Sequence, residues 1–115
     1  MCIRDRCTAG NDVESTTAMA GAGANLILFS TGLGTPTGNP VCPVIKVSTS
    51  SKLARSFSEY IDFDTGPIIE GSETVDSLGQ SLIEEVIAYA SGIRKTKASL
   101  QGRDDFLPWK RGMSL

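Results

Sequence analysis

With 115 residues, 21% of them charged and 40% apolar, the chain suffices for one globular domain with a modest core. A formal net charge of −2 without a basic cluster argues against a nucleic-acid partner, and the absence of histidine excludes Ser-His-Asp and Cys-His nucleophile systems and every histidine-containing metal site. Cys2, Cys7 and Cys42 are odd in number and irregular in spacing, so they form no disulfide framework and point to a reducing, cytoplasmic setting; no apolar run reaches membrane-spanning length, and nothing resembles a signal peptide.

Met1-Cys2-Ile3-Arg4-Asp5-Arg6 fits no pattern that follows and resembles translated adapter sequence. It is set aside, and residues 7–115 are expected to be one domain, the C-terminal part of something longer. The first helix is expected from Asn11, whose side chain can cap it while Glu14 reaches back to the Asn11 N–H. It should end at Gly21 or Gly23, and its small residues suit close packing against a sheet. Asp12 and Glu14 then lie where carboxylates are favoured at a helix start. Asn25 to Ser30 reads as a short buried strand.

The most informative stretch follows. From Ser15 to Ile45 no charged residue occurs, and at its centre stands Ser30-Thr31-Gly32-Leu33-Gly34-Thr35-Pro36-Thr37-Gly38-Asn39-Pro40. Charge-poor sequence belongs near a core, yet Pro36 and Pro40 forbid regular structure here. Backbone N–H groups around Gly32, Gly34 and Gly38 could form a nest for a carboxylate. Thr31, Thr35, Thr37 and Asn39 could pair with the hydroxyls of a polyol, since each donates and accepts. A rigid loop whose threonines satisfy their own backbone is an equal alternative. A dinucleotide fingerprint fails on spacing and on the prolines, and no Gly-Lys-Ser/Thr phosphate loop is present.

Val44 to Ser48 is a second strand, with Lys46 expected at a face or edge. As a lone cation in an apolar strand, Lys46 could instead bind a substrate anion or act as a base. Cys42 is expected to be quietly buried. Thr49, Ser50 and Ser51 can cap a helix carrying Leu53, Phe57 and Ile61 on one face. Asp62 and Asp64 alternate with apolar residues in an extended segment, either as a metal pair or as exposed charges. Pro67 to Glu70 reads as a short strand or turn exit. Val75, Leu78, Leu82, Val86 and Tyr89, flanked by Ile83 and Ile87, form an apolar stripe at helical spacing that Gly92 ends. Arg94, Lys95 and Lys97 suit that helix's C-terminus. In the tail, Pro108 argues against a helix, Phe106 and Trp109 should dock on the domain, and Asp104 and Asp105 should be solvated. Strands alternating with helices predict a three-layer α/β domain with a mainly parallel sheet.

Several motifs in order carry a resemblance: Gly10-Asn11-Asp12-Val13-Glu14-Ser15, Gly23-Ala24-Asn25-Leu26, the loop from Thr31 to Pro40, and Asp105-Phe106-Leu107-Pro108-Trp109-Lys110-Arg111-Gly112. Together they resemble the C-terminal part of the altronate and galactarate dehydratase family of sugar-acid hydro-lyases, with loop wording nearer altronate dehydratase. Ala9 departs from the family pattern, where a proline is expected. The resemblance implies a Rossmann-like layered domain in a knotted variant. It further implies elimination of water from an aldonate or aldarate to a 2-keto-3-deoxy acid, dependence on a divalent metal, iron(II) above all, and further domains on the N-terminal side. Its partners would be a sugar acid, those domains and, in a homo-oligomer, a second copy. On the resemblance, Asn11, Thr31, Gly32, Gly34, Thr35, Thr37, Gly38 and Asn39 are the substrate-binding candidates. Asp12, Glu14 and Lys46 are the catalytic ones, and the metal ligands are unassigned. A ligand-binding or interaction module that kept the fold and lost the reaction is the alternative.

Overall fold

The computed structural model describes residues 8–108. Helix α1 (Asp12–Gly21) is capped by the Asn11 side chain, which accepts from the Val13 N–H at 3.1 Å. Strands β1 (Ile27–Thr31), β2 (Val44–Ser48) and β3 (Phe63–Asp64) form a parallel sheet in the order β1-β2-β3, with Ile27 opposite Val44 and Val47 opposite Phe63. A parallel pair requires a crossover, because the chain must travel back along the strands before the second one starts. Residues 32–43 make that return without a helix, so the glycine loop is stretched across one face of the sheet.

All five residues of β2 are buried. Side-chain alternation along it builds the two sides of the core. Val44 packs with Ile27 and Cys42 beneath Met19 and Ala20 of α1, whereas Ile45 and Val47 pack with Tyr89, Leu82 and Val86 of helix α4 (Val75–Ala90). The result is the expected three-layer arrangement with an all-parallel sheet, compatible with a Rossmann-like domain. No helix among the described residues is long and apolar enough to cross a membrane.

Several local expectations need correction. Lys46 is at neither an edge nor a wet face: β2 is the central strand and Lys46 is 0% exposed. Helix α2 (Ser51–Ser56), capped by Ser50, stops with Phe57 as its C-cap, so Ile61 lies beyond it as a separate buried residue. Pro67 to Glu70 is not a strand but most of helix α3 (Gly66–Glu70): a proline in the first turn loses no helical hydrogen bond, and the Gly66 N–H donates to Asp64 Oδ1 at 2.8 Å. Only part of the α4 stripe faces inward. Leu82, Val86 and Tyr89 pack on the sheet, while Val75, Ile83 and Ile87 remain more than 60% exposed. Lys97 does not trail from α4. It opens helix α5 (Lys97–Leu100), which Thr96 caps, and its Nζ donates to the Ser58 carbonyl at 2.7 Å. Arg94 instead pairs with Glu85. Phe106 is 56% exposed rather than docked, and Trp109, Cys2, Cys7 and the leader lie outside the described residues.

Candidate functional site

The loop leaves β1 at Thr31, whose Oγ1 accepts from the Gly34 N–H at 2.9 Å. Gly34 has φ +85°, a left-handed turn that glycine adopts without a Cβ penalty, and it lies against Leu53 of α2 and Phe57 at that helix's C-cap. Beyond the turn the Thr35 and Thr37 hydroxyls share a hydrogen bond at 2.9 Å. Asn39 Oδ1 accepts from the N–H groups of Val41 at 2.9 Å and Cys42 at 3.3 Å, a side-chain turn that starts the approach to β2. Gly32 and Leu33 form the outward rim, with Leu33 88% exposed, whereas Thr37, Gly38 and Asn39 are buried. Much of the predicted polar equipment is therefore bonded within the domain, and the open part of the loop is its first turn.

Beneath the loop, Lys46 Nζ donates to the Thr37 carbonyl and stands 5.9 Å from the centroid of the Phe29 ring. Burial pushes its ammonium pKa down, and the carboxylates of Asp62, Asp105 and Asp12 pull it back up. Of the sequence-predicted residues, the structure thus brings Thr37, with Gly38 beside it, onto Lys46, while Asp12 on α1 acts on it only through its charge. Asn11 is an exposed cap, and Glu14, expected at the helix start, is buried on α1. Burial pushes the Cys42 thiol pKa up, which keeps it protonated and unreactive.

Asp105 is the residue that sequence reasoning missed. Expected to be solvated, it accepts from the Gly38 N–H through Oδ2 at 3.2 Å, a contact across 67 positions that no local spacing announces. Its place in the closing motif was the sole available signal. Asp62 does not pair with Asp64 as a metal site: it accepts the backbone N–H of Lys46 at 2.8 Å and of Lys97 at 2.9 Å, tying β2 to α5, and burial pushes its carboxyl pKa up. Among the described residues no group of three or more His, Cys, Asp or Glu could hold a metal ion. With these carboxylates committed to backbone amides, the described residues alone do not fit a divalent cation.

Two grooves flank these elements. One, of about 410 Å³, opens at the carboxyl ends of β2 and β3 between α2 and α3, with Ser51, Lys52, Arg55 and Gly66 in its lining and one carboxylate, Glu70, so its charged lining is net positive. Among the described residues neither cation has an ion-pair partner, and the buried Ser51 Oγ makes no hydrogen bond. The other, of about 560 Å³, runs along the outer face of α4 past Val75, Gly79 and Ile83; its charged lining, Asp76 and Glu84, has the wrong sign for an acid.

A family model described as D-galactarate/altronate dehydratase, C-terminal, matches residues 5–114. The chain belongs to the D-galactarate/altronate dehydratase family, as its C-terminal domain. It is 41% identical to an altronate dehydratase of Escherichia coli over 84% of this chain and 18% of that protein. It is 35% identical to a galactarate dehydratase (L-threo-forming) of the same organism, over 77% of this chain and 17% of that protein. A (2R)-sulfolactate sulfo-lyase subunit beta of Chromohalobacter salexigens is 33% identical over 82% of this chain and 24% of that protein. The chain thus spans less than a quarter of the length of these relatives.

Proposed function

We propose that this domain serves a longer hydro-lyase that removes water from a sugar acid, altronate before galactarate, to give a 2-keto-3-deoxy acid. The observation that carries the reading is the position of the family's glycine–threonine loop. It leaves the carboxyl end of a parallel strand, the usual side for ligands in α/β sheets, and packs on α2, the helix that brings two cations, Lys52 and Arg55, to a groove whose one carboxylate is Glu70. In such a reaction a base takes the proton from C2, beside the carboxylate, and hydroxide leaves C3; the enol then relaxes to the keto acid. Lys52 and Arg55 would draw the carboxylate, and the Gly32–Thr35 turn would meet the polyol with amides and hydroxyls. The relatives are named for altronate, galactarate and sulfolactate, each a hydroxy-carboxylate, and one is named a sulfo-lyase rather than a dehydratase. The base and the ligands of the implied iron(II) or other divalent ion are proposed to come largely from outside residues 8–108.

The test is the full-length polypeptide carrying this domain, supplied with iron(II) and altronate, with the keto-deoxy acid read by a coupled assay. Turnover is expected. Its absence on altronate, galactarate and related acids overturns the reading. A ligand-binding module of the same fold is the other outcome this test separates, with saturable sugar-acid binding without turnover as its signature.

A further inference from the structure

One peptide unit of the loop is held at both ends by charge. The Thr37 carbonyl and the Gly38 N–H belong to the same amide plane. Lys46 Nζ donates to the oxygen from the sheet, and Asp105 Oδ2 accepts from the nitrogen at 3.2 Å on the tail. A cation thus faces the negative end of the peptide dipole and an anion its positive end, and both hydrogen bonds are charge-assisted. Flipping this amide would turn its carbonyl toward a carboxylate and its N–H toward an ammonium, so one orientation is strongly preferred. The tail is fixed in turn. The Arg103 carbonyl presses on Gly38 where a Cβ would lie 1.8 Å from its oxygen, and the Leu107 N–H donates to Thr17 Oγ1 of α1 at 3.1 Å.

We infer that Lys46 and Asp105 are paired positioning residues that lock the Thr37–Gly38 peptide, which makes residues 103–108 a working part of the candidate binding loop. Lys46 has no exposure and its ammonium is spent on the loop, so its role is exerted through Thr37 rather than on a ligand. Asp62, leading into β3, and Asp12, on α1, also bear on Lys46 and keep the buried cation balanced when Asp105 is altered.

The geometric part stands without the dehydratase reading; only its consequence for substrate rests on it. Amide hydrogen exchange on this chain tests the geometry. Asp105→Ala should speed exchange of the Gly38 amide by about tenfold or more, the equivalent of about 1.4 kcal/mol, with the Ile45 amide of β2 unchanged as the control for global opening. Asp105→Asn, which keeps an acceptor oxygen without the charge, should fall between the two, and it decides the matter by the same measure if the alanine variant does not fold. Gly38 exchange equal to wild type in a folded variant overturns the inference. In the full-length polypeptide Asp105→Asn should raise KM for altronate more than it lowers kcat. If the wild-type polypeptide turns over no sugar acid, the functional reading fails while the exchange result still decides this one.

Discussion

An ammonium with no exposure is costly unless charge and hydrogen bonds meet it, and Lys46 shows how the domain meets that demand. Its folded pKa lies below 10.5, because desolvation outweighs the carboxylates of Asp62, Asp105 and Asp12. Between the lowered value and 10.5 the unfolded chain binds more protons than the folded one, so stability rises with pH through that window. Lys46→Met should lose this rise. Urea unfolding across the alkaline range should show the wild-type-minus-Met stability difference growing with pH, and parallel curves would contradict it. Asp62 works in the opposite direction. Its raised carboxyl favours the folded state as pH falls toward 3.8, a contribution Asp62→Asn should abolish. Gly38 is constrained by space: its Cβ would run into the Arg103 backbone, so Gly38→Ala should cost about 1–3 kcal/mol in the same measurement.

Element by element, local signals explain what could be read from sequence. The Asn11 cap marks the start of α1, the apolar run defines β2, and α4 follows from its stripe and is fixed at its start by the Thr74–Ser77 capping box. Thr74→Ala should therefore lower stability by about 1 kcal/mol in thermal unfolding. The stripe was wider than the sheet it serves. Leu82 packs inward and Ile83 outward, so Leu82→Ala should cost about 2 kcal/mol and Ile83→Ala stay within about 0.5 kcal/mol of wild type. What was illegible has physical causes. Helices α3 and α5 are too short for a period to show, and Pro67 suits a first turn as well as a bend. Lys46 was misplaced because nothing in its neighbourhood says that β2 has a strand on each side.

At the scale of the molecule, the loop was conspicuous in the sequence through its lack of charge, but what holds it was not. Its anchors sit on β2 and 67 residues downstream, on a tail that α1 holds in turn, and only the fold brings them together. The groove beside α2 was likewise unreadable, since it exists only where α2 and α3 meet over the strand ends. If it receives the acid group, Lys52→Ala combined with Arg55→Ala in the full-length polypeptide should raise KM for altronate about tenfold or more with the unfolding temperature unchanged; an unaltered KM would exclude the groove. The order of synthesis adds a consequence of the tail's grip on Gly38. A ribosome builds both sheet strands that border the loop, Lys46 among them, long before it reaches Asp105, so the carbonyl end of that peptide meets its cation before the N–H end can meet its carboxylate. A chain ending ahead of residue 103 would keep the Lys46 contact and lack the Asp105 one, so the candidate loop would be gripped from the sheet side alone.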